Sequence, residues 1–183
     1  MKAITILKQE HQLILRGLAV AQSMAILLQR GNEVFFDDVS LVVDFIQSYA
    51  DTFHHKKEED ILFKWMHERG FPSGGGPIQV MLYEHDLGRS CINNILSVLN
   101  KDQKLIEDKE TVIRGVMDFV QLLTQHISKE DNILYMMAES LAEKDSDEIL
   151  LSRYRNKIAE SESEEIQNKY EVMIQTLEKK YVS

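Results

Sequence analysis

The chain has 183 residues, an apolar fraction of 44% and a formal net charge of −9. That length supports one compact domain with a substantial core, and the acidic balance argues against a nucleic-acid groove or an anionic membrane surface. With 8 glycines and 2 prolines it has too few chain breakers for a collagen-like, low-complexity or turn-rich all-β protein, and its one cysteine, Cys91, excludes an intrachain disulfide.

The first apolar stripe is Ile4, Leu7, His11, Ile14, Leu18, Ala21, Ala25 and Leu28, stepping by three and four toward Gly31. That period predicts a helix. A second stripe runs Val39, Val43, Ile46, Ala50, His54, Glu58, Ile61 and Trp65, and stops at Gly70. Both prolines, Pro72 and Pro77, and Gly74, Gly75 and Gly76 follow at once, marking a joint. The third stripe is Ile78, Met81, Leu82, His85, Ile92, Ile95 and Leu99; the fourth is Val112, Val116, Phe119, Leu122, His126, Glu130, Ile133 and Met137. Four long helices with short links predict an all-α fold, an up-down-up-down four-helix bundle over residues 1–140. Residues 141–183 carry two weaker amphipathic segments, near 147–158 and 164–181. They are expected to form a C-terminal helical extension, packed on the bundle or lying at an interface such as a homodimer. No apolar run of membrane-spanning length and no leader pattern is read at the start, so a cytoplasmic location is expected.

The chain repeats itself. Glu10-His11-Gln12-Leu13 recurs as Glu84-His85-Asp86-Leu87, and His54, Glu58, Leu62 and Phe63 recur as His126, Glu130, Leu134 and Tyr135. Helices one and two therefore resemble helices three and four. The joint at 70–77 is the crossover between two matching hairpins, and pseudo-symmetry would bring four histidine-bearing faces to one level.

Each predicted helix carries one histidine on its apolar face: His11, His54, His85 and His126. Two of them add a glutamate four residues on, Glu58 and Glu130, on the same face and about 6 Å along the axis. One histidine on an apolar face is ordinarily a satisfied core residue. Four of them with two repeated His-x-x-x-Glu pairs need another cause, because burying carboxylates costs several kcal/mol without compensation. A pair of metal ions supplies it. Imidazole with carboxylate suits iron, manganese or zinc. Two bridging glutamates and two histidines per ion leave positions open for water, oxide or a small diatomic molecule. The spacing differs from the Glu-x-x-His of ferritin-like di-iron proteins.

These motifs resemble the hemerythrin-like family, the HHE cation-binding domain. The resemblance rests on Glu-His-x-Leu at His11 and His85, on His-His-Lys-Lys-Glu-Glu-Asp-Ile-Leu-Phe from His54 to Phe63, and on His-Ile-Ser-Lys-Glu-Asp-Asn-Ile-Leu-Tyr from His126 to Tyr135. It covers about residues 1–140. It implies a bundle holding a di-iron centre with an oxo or hydroxo bridge, with His11, His54, His85 and His126 as terminal ligands and Glu58 and Glu130 as bridges. It also implies binding or sensing of O2 or NO. A redox enzyme of peroxidase or oxidase type, or an iron-handling or iron-sulfur repair protein, is the alternative. The chain departs from the oxygen-carrying hemerythrins, which place a second histidine where Arg89 stands; the aspartate that they use as a bridge is available here as Asp131, but Glu130 fits the internal repeat better. Sensing, redox chemistry or iron handling is thus expected ahead of oxygen carriage. No catalytic acid or base is read from the sequence.

The remaining candidates are ranked below this set. The doublet His54-His55 has a glutamate four residues after each member, and the repeat selects His54. His55 and Glu59 are read as surface residues or as supports behind the ligands, because Ser48, Asp51 and Thr52 precede His55 on a wetter face of the helix; His55 as ligand is the alternative. Glu10 and Glu84 each adjoin a ligand and are expected as surface ion pairs, with a hydrogen bond to a ligand histidine as the alternative. His67 is placed at a helix C-terminus, where the dipole favours it. Tyr83 is expected near the pocket, and Cys91 and the methionines, Met117 and Met136 among them, are read as packing.

Overall fold

A computed structural model describes residues 1–72, 74–99, 101 and 106–182, and among them regular structure is helical throughout. Helix α1 spans Lys2–Gln29. The second unit is composite: α2 (Phe36–Phe45), the π-helical segments π1 (Ile46–His55) and π2 (Glu58–Leu62), then α3 (Phe63–Glu68). Helix α4 spans Pro77–Leu99. The fourth unit joins α5 (Ile106–Lys129), π3 (Glu130–Leu134) and α6 (Tyr135–Ser140). Helices α7 (Ser146–Lys157) and α8 (Glu160–Tyr181) follow.

The predicted stops hold for a physical reason. Gly31 and Gly70 take φ of 78° and 83°, the left-handed region that glycine enters without a Cβ penalty. Behind each, a 6→1 bond closes the helix, Asn32 N–H to Leu27 O and Phe71 N–H to Met66 O. That is the Schellman closure, which satisfies a terminal carbonyl. Ser73, inside the predicted joint, lies outside the described residues, as does most of the link between the third and fourth units.

The first four units touch in a ring. α1 packs on α5, α5 on α4, α4 on α2 and π1, and these on α1. Close approach is built in at Gly17, where a Cβ would stand 2.3 Å from the Phe45 ring. The buried apolar residues separate into two clusters. One gathers Leu18, Met24, Val43, Phe45, Ile95 and Phe119. The other gathers Ile4, Leu7, Leu62, Trp65, Met81 and Tyr135. Full burial of such side chains stabilises by about 1.5–3 kcal/mol each. In sequence, the histidines and glutamates fall between the members of the two clusters on the first three units; on the fourth, Glu130 does so and His126 immediately precedes Ile127, the last member of the first cluster there.

The C-terminal helices bury their apolar faces within the chain. Tyr170, Ile174, Leu177 and Tyr181 of α8 join the first cluster, and Leu150 and Tyr154 of α7 join the second. Asp147 at the start of α7 accepts the backbone N–H groups of Lys2 and Ala3 at 3.0 and 2.9 Å. It thereby caps α1, whose first N–H groups have no partner within the helix.

One expectation is amended. α1 contains an 18-residue window of mean hydropathy 1.3, enough by length and composition to cross a membrane. Its Leu7, Leu13, Ile14, Leu18 and Val20 are buried inside the chain, as in the central helix of a packed domain.

Candidate metal centre

Six predicted site residues meet between the two core clusters, and none is more than 2% exposed: His11 from α1, His54 from π1, Glu58 from π2, His85 from α4, His126 from α5 and Glu130 from π3. Each glutamate faces one histidine from each half of the chain. Glu58 Oε2 lies 3.7 Å from His54 Nε2 and 3.5 Å from His85 Nε2. The two oxygens of Glu130 each stand 3.3 Å from an imidazole, one from His11 Nε2 and the other from His126 Nε2. Donor atoms of His11, His54, Glu58 and Glu130 lie within 4.8 Å of one another, and so do those of His55, Glu58, His85 and His126. Glu58 belongs to both sets.

The donors fit a pair of cations. Among the described residues, His54 Nε2, Glu58 Oε2 and both oxygens of Glu130 are buried with no hydrogen-bond partner. Leaving a buried acceptor unpaired costs about 1–3 kcal/mol, and more for a charged one. The Nε2 atoms of His85 and His126 approach to 3.0 Å, which sets two imidazole nitrogens facing each other. Nitrogen and oxygen donors in this mixture suit iron, manganese or zinc.

Without a cation the layer must balance its own charge. Burial and the neighbouring Glu130 push the Glu58 carboxyl well up, and its Oε1 accepts the Tyr135 hydroxyl at 2.6 Å. Burial works the same way on Glu130 but is outweighed by His126 and His11, so Glu130 is held well below the usual carboxylate range. Burial alone would lower His11; Asp131 and Glu130 outweigh it and raise the imidazole to about 9. His54 goes the other way, lowered by burial and by His11 and His55 beside it.

A second ring of carboxylates surrounds the first. His11 Nδ1 donates to Asp131 at 2.9 Å, His54 Nδ1 to Glu10 at 2.8 Å, His85 Nδ1 to Glu59 at 2.7 Å and His126 Nδ1 to Glu84 at 2.9 Å. Each bond fixes the ring and turns its Nε2 lone pair inward, the arrangement that metal-bound histidines use. Lysines hold two of these carboxylates in turn: Lys57 donates to Glu10 at 2.5 Å and Lys129 donates to Glu84. Arg89 donates to Glu59 at 2.8 Å. Burial pushes Glu10 up to about 7, against the pull of Lys57.

This ring corrects the expectation of surface ion pairs. Glu10 is 4% exposed, and both Glu10 and Glu84 serve a histidine on a neighbouring helix. The signal was in the repeat. Glu10 with Glu84, Lys57 with Lys129, and Glu59 with Asp131 recur at the same intervals as the histidines.

His55 also departs from expectation. The wetter face was read from α-helical spacing, but residues 46–55 form a π-helix. Its wider turn changes which neighbours share a face. His54 and His55 are both buried, and the His55 ring stacks on His85 with centroids 3.8 Å apart. A cavity of about 250 Å³ opens beside it, lined by Ile46, Ala50, Gly88, Ile92 and Phe119, with Asp51 and Arg89 also on its wall.

The other candidates fall away from the site. Tyr83 is 63% exposed, because it points to the outer face of α4. Met117 and Met136 are exposed as well, so they do not pack the core. His67 donates to the Phe71 carbonyl at 3.0 Å, at the end of α3. Cys91 is half-buried against the first cluster. Tyr135 does reach the site, through Glu58 and a stacked contact with His11.

Comparison with known proteins places the chain among cation-binding domains. The model of the hemerythrin HHE cation binding domain matches residues 2–138. The iron-sulfur cluster repair protein YtfE of Dickeya chrysanthemi is 30% identical over 105 residues, which are 56% of this chain and 45% of that protein. The chain thus aligns with less than half the length of that relative. No solved structure matches.

Proposed function

The chain belongs to the hemerythrin HHE cation-binding family, and on that premise we propose that it is a non-haem di-iron protein that binds or senses O2 or NO. In this reading the first four helical units form an up-down-up-down bundle over residues 1–140, with 141–183 as an extension. His11, His54, His85 and His126 would hold the ions as terminal ligands, with Glu58 and Glu130 as the bridging carboxylates. The observation that carries the reading is the convergence of unpartnered, fully buried acceptors, His54 Nε2, Glu58 Oε2 and both Glu130 oxygens, in one layer. Bound iron would supply exchangeable electrons and bind the small ligand. The protein's part is to hold the imidazoles through Asp131, Glu10, Glu59 and Glu84 and to keep water scarce. Zinc or manganese would satisfy the same donors. A cytoplasmic location goes with this reading, since one cysteine suits a reducing compartment.

The second reading is iron handling in cluster repair. The likeness to a protein named for iron-sulfur cluster repair favours it. One preparation tests both. Protein from iron-supplemented cells should carry about two irons per chain, with charge-transfer bands that bleach on reduction. Stable NO or O2 adducts of the reduced protein support the first reading. Transfer of its iron to an apo iron-sulfur protein supports the second. An equally stable protein that takes up only zinc, or no metal, overturns both.

A further inference from the structure

The repeat relating the two halves fails at two buried positions around the metal layer, Phe63 against Tyr135 and His55 against Ile127, and the second puts a further imidazole in one half only. His54 and Glu58 match His126 and Glu130, but His55 stands where the second half has Ile127. Both residues are buried. An apolar residue suffices in the second half, so the imidazole in the first half needs its own cause.

We propose that His55 is a fifth imidazole ligand, bound to the ion held by His85 and His126, and that the two ions are therefore inequivalent. The proposal rests on the di-iron reading and deepens it. One donor atom each of His55, Glu58, His85 and His126 already lies within 4.8 Å of the others. The ring shares one feature with those of the four proposed ligands, through a longer contact than their 2.7–2.9 Å. Its Nδ1 faces a carboxylate, Asp51 at 3.4 Å, and Arg89 holds that carboxylate by contacts of 3.0 and 2.7 Å. Nε2 is then the nitrogen left for an ion, as in the other four. The backbone is specialised at the same place. π1 runs ten residues and ends at His55, whereas the matching stretch of the second half, 118–127, is regular α5. π segments interrupt helices most often at functional sites.

The Arg89 guanidinium reaches across from α4 to Asp51 and so backs His55 from behind. The His55 ring now stacks on His85 with centroids 3.8 Å apart; two imidazoles that share one ion must splay, so the proposal requires this stack to open, and the cavity beside His55 is where its ring can turn.

The test uses full-length protein loaded with iron-57. Mössbauer spectra of the oxidised parent should show two quadrupole doublets of equal area. His55→Ile, which restores the residue of the other half, should keep the helical circular dichroism and bring the doublets together. A parent with two irons and one doublet, or a variant whose spectrum matches the parent, overturns the proposal while the di-iron reading stands. A parent that takes up no metal overturns both. A second measurement needs no variant. In the cobalt(II)-loaded parent, proton NMR should show five shifted, exchangeable imidazole N–H signals; four would overturn the proposal whatever the variant does.

Discussion

At the scale of single residues, the layer is organised by pairs in which an inner imidazole is held by an outer carboxylate. Glu84 is the most informative of the outer set, because it bonds both His126 and Lys129 and lies on a different helix from either. Glu84→Gln keeps an acceptor oxygen but removes the charge that would make His126 a better metal ligand. Loss of such a partner typically lowers metal affinity by about 10–100-fold. Competition titration with a chelator should show that loss with the circular dichroism unchanged, and an affinity equal to the parent would mean that Glu84 only orients Lys129. The pseudo-symmetric change Glu10→Gln should act in the same direction. It also leaves the buried Lys57 without its carboxylate partner, so it should lower thermal stability as well. The inner set was legible in the sequence because histidine and glutamate on apolar faces violate burial rules and recur in both halves. The outer set was less legible. A residue next to an inner histidine points away from its own helix's core face, so the repeat marks Glu10 and Glu84 as a pair but packing is needed to show that each meets a histidine of the neighbouring helix.

At the scale of elements, steps of three and four located every long helix, and the glycines at 31 and 70 located two of the stops. The same steps failed between Ile46 and His55, where the chain is π-helical. No composition cue marks that change, since the segment still alternates apolar and polar residues. Helix contacts are a second property hidden from periodicity. Gly17 lies on the buried face of α1, and a Cβ there would sit 2.3 Å from Phe45 Cε1. Phe45 is fully buried and cannot swing away. Gly17→Ala gains about 1 kcal/mol of helix propensity, but overpacking costs about 1–3 kcal/mol. The cost should win, and the midpoint of chemical denaturation should fall. Gly88 is the contrast. A Cβ there would meet the Phe119 ring at 3.4 Å, an ordinary contact. Gly88→Ala should therefore leave the midpoint unchanged or raise it, measured at equal metal loading. Equal responses at the two glycines would show that the Gly17 contact relaxes at no cost.

At the scale of the whole molecule, α7 and α8 are fastened to the rest of the chain by apolar burial and by a set of carboxylates around its edge. Asp147 takes the first N–H groups of α1. Glu178 accepts from Arg16, Asp60 from Lys157, Glu68 from Arg153 and Asp38 from Lys180 and Tyr181. Their cationic and N–H partners hold all five below the usual carboxylate range; at Asp147 and Asp38 burial opposes the shift and is outweighed. A carboxylate depressed in the folded state contributes stability above its unfolded pKa, about 4, and loses it as pH falls through the folded value. Each surface pair is weak alone, but all five act on the same two helices. Amide hydrogen exchange compared at pH 7 and pH 3 should therefore show α7 and α8 losing protection before α4. Buried Leu150, Ile174 and Leu177 should keep them from detaching at once. A variant with Asp147→Asn and Glu178→Gln should show part of that loosening already at pH 7 and respond less to acid. If all the helices lose protection together in both proteins, the extension is held by its apolar face alone. In that case the carboxylates at its edge contribute nothing to its docking.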